Sequence, residues 1–331
     1  MRIPDYRVQI PSNRWQSGDP LGQGVYSFPP GPLARCSGFK MTVLDFLNWS
    51  TNYLKDHEVE EPRLNAELLL ARSLNLSRER LYVHLHDRLK EGEKEGWEEL
   101  IRRRISGEPL QYILEHQEFW SIDFKVDPRV LIPRAETELL VEQSLSILSE
   151  TYLERIPSVL EIGTGSGAIA VALAKEVKKL FLVATDISRD ALFLAKENAK
   201  SAGVRHQIEF VNGDLFGPLR PSTERGFFDL ILSNPPYIVR RKIGTLAKEV
   251  KDYEPTIALD GGEDGLAFYR RIVPEAPGYL REGGWLLLEV ALGQGPDVSE
   301  LIEEGGQFLK PECIPDLSGI GRVVKAQKRR E

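Results

Sequence analysis

Ser158-Val159-Leu160-Glu161-Ile162-Gly163-Thr164-Gly165-Ser166-Gly167-Ala168 runs from an apolar, strand-forming stretch through three glycines into a helix-forming one. Glycines let a backbone approach a ligand closely, and a helix start presents N–H groups that have no intrahelical partner. Outward from this turn the alternation continues. Strand-like Val159–Ile162, Phe181–Thr185, Ile208–Val211, Phe228–Ser233 and Trp285–Val290 are interleaved with helical segments through Ala168–Ala174, Ala191–Ala202 and Leu266–Leu280. Alternation at this spacing predicts an α/β fold built on a doubly wound parallel sheet.

The glycine loop alone is ambiguous, because Gly163-x-Gly165-x-x-Ala168 also fits a dinucleotide fingerprint. Asp186, ending the next strand, suits ribose hydroxyls in either case. Three features favour S-adenosylmethionine over NAD. Glu161 precedes the first glycine by two, where it faces an ammonium better than a pyrophosphate. A third strand ends in Gly213-Asp214-Leu215, whose carboxylate suits the adenine amino group. The fourth ends in Asn234-Pro235-Pro236-Tyr237, which hydride transfer does not need. Each carboxylate taken alone fits a solvated strand-end residue capping the next helix, as Asp186 could do for 188–198. Their joint occurrence at successive strand ends, where doubly wound sheets bind ligands, outweighs that alternative. The expected cofactor contacts are Glu161, Gly163, Thr164, Gly165, Ser166, Gly167, Asp186, Asp214, Leu215 and Asn234.

A lone Asn-Pro-Pro reads as an ordinary proline turn. Here it closes the buried-type strand Phe227-Phe228-Asp229-Leu230-Ile231-Leu232-Ser233, downstream of the glycine loop. An amide or aminopurine NH2 is a poor nucleophile, since its lone pair is delocalised. Its methylation needs both N–H groups held by acceptors and the lone pair aimed at an electrophilic methyl. Asn234 offers a side-chain oxygen and Pro235 a backbone carbonyl, both expected to be catalytic, on a corner that the prolines stiffen. Pro236 and Tyr237 complete the expected substrate-binding set, with Tyr237 stacked on the flat group.

Composition bounds the alternatives. The chain has 331 residues, 41% hydrophobic and 28% charged, enough for two domains. No apolar run approaches the roughly 20 residues of a membrane span, and Met1-Arg2-Ile3-Pro4-Asp5 lacks a secretory core, so the expected location is cytoplasmic. Cys36 and Cys313 are too few for a disulfide framework or a cysteine zinc site, and the five histidines include no i, i+4 pair, so no metal is expected. A formal net charge of −7 argues against a protein whose main partner is a nucleic-acid backbone. Arg240, Arg241 and Lys242 form one short basic cluster after the corner. An exocyclic-amine methyltransferase acting on adenine or guanine in DNA or RNA would use the same Asn-Pro-Pro-Tyr corner and stays the alternative.

Upstream, residues 1–40 are rich in Pro, Gly and Ser and read as a disordered extension. Met41 falls where regular structure begins, which makes it a candidate translation start. Residues 41–108 carry helical spacing, as in Val43, Leu44, Phe46, Leu47, Tyr53 and Leu54, with Ser77 placed to cap a third helix and Gly107 and Pro109 ending a fourth. This small bundle carries no catalytic constellation and is expected to recognise substrate, a purely structural cap being the alternative. Residues 109–135 look like a connecting hairpin, with β-like pieces at Phe119-Trp120 and Phe124-Lys125-Val126, and 136–331 form the catalytic domain.

With these residues placed, the chain from Met41 to about Ala326 resembles the peptide-chain release-factor glutamine N5-methyltransferases. The carrying segments are Gly107-Glu108-Pro109-Leu110-Gln111-Tyr112, then Phe124 to Arg134 with Glu136-Thr137-Glu138, the glycine loop, and Asn234-Pro235-Pro236-Tyr237-Ile238. Glu254-Pro255, Ala258-Leu259, Gly261-Gly262-x-Asp264-Gly265-Leu266, Gly283-Gly284, Leu287-Leu288-Glu289, Asp316, Gly319 and Arg322 follow. The resemblance implies a seven-stranded S-adenosylmethionine-dependent methyltransferase sheet with a small N-terminal helical domain. It also implies a protein substrate, the glutamine in the Gly-Gly-Gln loop of peptide chain release factors, with no stable nucleic-acid partner and no membrane. Two positions depart from the family pattern: Ala135 stands where proline is usual, and Ala291 where glycine is.

Overall fold

The computed structural model describes residues 41–152, 155–219 and 226–330. The expectations for residues 1–40, including a start at Met41, lie outside the described residues.

The chain opens with α1 (Val43–Asp56), α2 (Pro62–Ser73), α3 (Arg78–Val83), α4 (Glu91–Ile105) and the short α5 (Leu110–Leu114). Local chemistry sets the starts. Thr42 and Asp45 form a reciprocal capping box on α1, and Ser77 caps α3 by accepting from the Arg80 N–H. Phe46, Leu47, Leu69, Leu70 and Trp97 are buried where the first, second and fourth helices meet, and Trp97 packs edge-on against Phe46 and Trp49. Removing one such large apolar side chain costs about 3–5 kcal/mol, which is why helices this short persist.

A hairpin of β1 (His116–Phe119) and β2 (Ile122–Lys125) follows. The expected β-piece at Phe119-Trp120 is corrected here: Trp120 and Ser121 make the turn, both at φ +53. Helix α5 replaces the start of the expected hairpin, because Tyr112, Ile113 and Leu114 turn inward as one buried face.

The remaining elements are α6 (Glu138–Tyr152), β3 (Ser158–Ile162), α7 (Ala168–Glu176), β4 (Phe181–Asp186), α8 (Arg189–Ser201), β5 (Ile208–Asn212), β6 (Phe228–Ser233), α9 (Arg240–Ile243), α10 (Lys248–Lys251), α11 (Tyr269–Tyr279), β7 (Leu280–Glu289), α12 (Gly295–Glu304), β8 (Glu312–Pro315) and β9 (Gly321–Gln327). The seven-stranded sheet runs β5-β4-β3-β6-β7-β9-β8. Five strands are parallel, while β9 pairs antiparallel with both β7 and β8, so the sheet is mixed where the strand–helix alternation predicts a parallel one. The antiparallel edge escaped periodicity because β8 is four residues long and mostly exposed.

Side chains alternate between the two faces. Val159, Leu230 and Leu232 join a core with α6, α7 and α8, whereas Leu160, Ile162 and Ile231 join one with α11 and α12. Chain direction in the sheet reverses at β3: the chain moves outward to β4 and β5, then returns to lay β6 on the other side of β3. The crevice at that switch point therefore receives the loops leaving the carboxyl ends of β3 and β6.

Candidate active site

Those two loops are the glycine turn and the Asn-Pro-Pro-Tyr corner, and they wall one cavity of about 250 Å³. Of the residues expected at the cofactor, Glu161, Gly163, Thr164, Gly165, Ser166, Asp186, Asp214, Leu215 and Asn234 line it, joined by Pro235 and Pro236. Gly167 and Tyr237 do not. Gly167, at φ +81, carries the turn into α7, and an added Cβ would lie 3.0 Å from the Ala195 Cβ of α8. Its role is close packing of loop and helix.

The Glu161 carboxylate is 1% exposed. One oxygen accepts from the Thr164 hydroxyl at 2.7 Å, and the other, Oε1, is buried with no hydrogen-bond partner. Burial pushes its pKa up to about 8, against the Thr164 hydrogen bond, with the nearby Asp186 carboxylate adding to the rise. A Cβ added at Gly163 or Gly165, both at positive φ, would meet nothing within 4 Å. An orphaned acceptor beside an open glycine backbone fits an ammonium-bearing nucleoside such as S-adenosylmethionine. Asp186 accepts the Gly165 and Ser188 N–H groups at 2.8 Å each, and burial raises its pKa. Asp214 is half exposed, and Arg271 holds its Oδ2 at 2.6 Å, so only the other oxygen remains to receive an amino group.

At the corner, Asn234 Nδ2 donates to Thr137 Oγ1 at 3.2 Å. Among the described residues, no hydrogen bond ends on Asn234 Oδ1 or on the Pro235 carbonyl. Tyr237 departs from the expected stacking role. Its ring packs with the apolar cluster on the α11 side, and its hydroxyl turns to Glu289 at 3.5 Å.

The far wall had no chemistry assigned to it from sequence. Arg134, Thr137, Pro255 and Ile257 line the cavity, and Arg134 ties the two segments together through a 2.6 Å pair with the buried Glu254. Behind them, α10 and its C-terminal flank meet the helical domain through Arg104–Glu249 at 3.0 Å and Ser106–Tyr253 at 3.1 Å. Of these, Arg134, Thr137, Glu254 and Pro255 fall inside the family-like segments, and that was the only available signal, since no spacing links residues so far apart in sequence. Ala135 is exposed at the start of a 3₁₀ turn, Ala135–Thr137, and the Ala291 N–H is held by Gln294 Oε1, so neither departure disturbs the wall.

The basic cluster is partly spent internally. Arg240 pairs with Asp260 at 2.9 Å and Glu263 at 3.0 Å. Among the described residues no helix is long and apolar enough to cross a membrane, and no group of three or more His, Cys, Asp and Glu could hold a metal ion.

Residues 45–114 match the family model described as the PrmC N-terminal domain, and residues 137–250 match the methyltransferase small domain. Three proteins, each called release factor glutamine methyltransferase, are similar over almost their whole lengths. That of Geobacter sulfurreducens is 44% identical over 86% of this chain and 95% of its own. Those of Moorella thermoacetica and Koribacter versatilis are 41% and 40% identical, covering 88% and 87% of this chain and 100% and 99% of theirs.

Proposed function

Because this chain belongs to the release factor glutamine methyltransferase family, we propose that its own cavity receives the glutamine of a release factor's Gly-Gly-Gln loop and methylates the side-chain nitrogen. The observation that carries this reading is the pair of unsatisfied acceptors, Asn234 Oδ1 and the Pro235 carbonyl, on the wall of the cavity that also holds the glycine turn. A primary carboxamide has two N–H donors on one nitrogen, which is what two converging acceptors select.

S-adenosylmethionine supplies the electrophilic methyl. Glu161, whose Oε1 is unpartnered, would hold its ammonium, Asp186 its ribose hydroxyls and Asp214 its adenine amino group. Asn234 and Pro235 hold the substrate N–H groups, so that the nitrogen lone pair lies in line for displacement, and positive charge developing on nitrogen strengthens both bonds. The carbon–sulfur bond breaks as the carbon–nitrogen bond forms. No general base is needed, because an N-methylated amide carrying an extra proton is strongly acidic and loses it to solvent.

A protein substrate fits the net charge of −7 and the capture of Arg240 by two carboxylates better than a nucleic-acid backbone does. The helical segment 41–108 takes the role of recognising the body of the factor, and such a substrate places the reaction in the cytoplasm. The test is incubation with methyl-labelled cofactor and either release factor or nucleic acid, read by peptide mass spectrometry. Label on the Gly-Gly-Gln glutamine, lost in a Gln-to-Asn substrate, is expected; label on a base would overturn the assignment.

A further inference from the structure

The far wall of the cavity is built from residues 129–134 and 255–258, which belong to no strand and to no helix longer than one 3₁₀ turn. Loops of this kind keep their shape only where something rigid stands behind them. Three contacts provide that support, all through residues 249–253. The Tyr253 ring packs on the buried cluster of Tyr112, Val130 and Ile132, behind the first segment, and the Tyr112 hydroxyl fixes the Val130 carbonyl at 2.6 Å. The Tyr253 hydroxyl donates to the carbonyl of Ser106, the residue that ends α4, at 3.2 Å. It also lies 3.1 Å from the Ser106 hydroxyl, whose own proton goes to the Arg103 carbonyl.

On α10, Glu249 Oε2 meets Arg104 Nη1 at 3.0 Å. The Arg104 side chain is only 10% exposed, and the Asn65 side-chain oxygen and the Glu108 carbonyl each hold it at 2.8 Å within the helical domain. Most exposed ion pairs are weak because two long side chains must be ordered to make them; here one partner is already fixed. From this braced stretch the chain runs directly into the wall. Glu254 follows Tyr253 and pairs with Arg134, and Pro255 comes next.

We propose that Glu249 and Tyr253 are positioning residues: they brace the wall formed by Arg134, Pro255 and Ile257 against the end of α4, so that the helical domain sets the width of the slot in which the glutamine reacts. Neither residue lines the cavity, so both act through the wall. The domain that takes hold of the factor and the slot that takes its glutamine are thereby held as one piece, and the bound loop meets Asn234 and Pro235 at a fixed spacing. Reactive geometry tolerates little error: a displacement of about 1 Å set by residues far from the chemistry can cost on the order of 10²-fold in rate.

The inference rests on the reading that the cavity receives the glutamine, and one set of assays separates the two. Tyr253→Phe keeps the ring in its cluster and removes the hydroxyl; Glu249→Gln keeps the shape and removes the charge. With methyl-labelled cofactor and release factor, each should lower kcat about fivefold, the equivalent of one lost hydrogen bond. The double variant should lose about 25-fold, because the two contacts share no partner. KM for the factor, and S-adenosylhomocysteine affinity by calorimetry, should stay within about twofold of wild type. Thermal unfolding checks that each variant is folded at the assay temperature; contacts that only stabilised the fold would lower Tm and leave kcat of the folded enzyme unchanged. Arg104→Lys, alone and combined with Glu249→Gln, closes a cycle in which the combined loss should fall short of the product of the single ones; a full product would overturn the contact. Wild-type kcat in the double variant, or a loss seen only as a raised KM, overturns the bracing role while label still reaches the Gly-Gly-Gln glutamine. Failure of the wild-type enzyme to label that glutamine overturns the reading beneath it.

Discussion

The proposed pairing of Glu161 with the cofactor's ammonium makes binding a proton-linked event whose size follows from the surroundings of Glu161. In the ligand-free protein its carboxyl titrates at about 8, because it is 1% exposed and only one of its oxygens is hydrogen-bonded. The ligand's α-ammonium titrates at about 8 as well. The productive pair is carboxylate with ammonium, so apparent affinity follows the product of the two charged fractions. At pH 6 the carboxylate fraction is about 0.01 and the ammonium fraction near 1; at pH 8 each is about 0.5, so affinity rises about 25-fold, or about 2 kcal/mol. Above pH 8 it falls again as the ammonium discharges. Calorimetry with S-adenosylhomocysteine from pH 5.5 to 9, in buffers of differing ionisation enthalpy, reads both the affinity and the proton count. About 0.8 proton should leave on binding at pH 7, the Glu161 loss minus a small ligand uptake. Glu161→Gln should bind more weakly at pH 8 and lose the acid limb. Affinity that is flat between pH 6 and 8, or a limb that survives in Glu161→Gln, would refute the reasoning and move the titration to Asp186. The folded-state pKa lies above the unfolded value near 4.5, so ionisation is disfavoured by folding. Ligand-free stability therefore declines as pH rises from about 4.5 to 8, and Glu161→Gln should abolish that decline.

Removing the Asn234 acceptor as Asn234→Ala should lower kcat on the order of 10²–10³-fold with cofactor affinity nearly unchanged, checked by steady-state kinetics and calorimetry; near-wild-type turnover would show the assignment wrong. Gly265→Ala should lower kcat with little loss of cofactor binding, because an added Cβ at φ +82 meets the Tyr237 carbonyl oxygen at 2.5 Å and Gln294 Nε2 at 2.6 Å, pushing the corner aside; unchanged kinetics would mean the corner tolerates the shift. Asp229, 5% exposed, accepts the Ser158 N–H at 2.8 Å and also meets Arg155 and Arg281. Asp229→Ala should cost about 1–3 kcal/mol in denaturant unfolding by leaving that N–H buried and unpaired. Its folded pKa is depressed by Arg155 and Ser158, despite burial, so wild type keeps this contribution above the unfolded value near 3.8 and loses it as pH falls lower; an acid transition unchanged in Asp229→Ala would rule that out.

Much of what depends on neighbours in the chain was readable from the residues, the turn at Trp120-Ser121 and the short α5 excepted. Strand and helix periods, the glycines that turn β3 into α7, the proline corner and the cap at Ser77 act within a few positions, so their chemistry is local. Placing ligand chemistry at the ends of β3, β4 and β6 followed from the rule for doubly wound sheets. The antiparallel β8 and β9 did not, since their pairing is decided by which edge β7 leaves open. Nor did the direction of Tyr237, whose hydroxyl meets Glu289, 52 residues away, or the hydrogen bond from the Asn234 amide to Thr137, 97 residues away.

Sequence alone determined the glycine turn, the Asn-Pro-Pro-Tyr corner and the polar atoms that each carries. Only the tertiary structure decided what those atoms are like: that Glu161 is buried deeply enough to hold its proton to about 8, and that the Asn234 amide has a partner for its donor end. Burial and hydrogen-bond direction are properties of the packed surroundings, which segments distant in the chain assemble together.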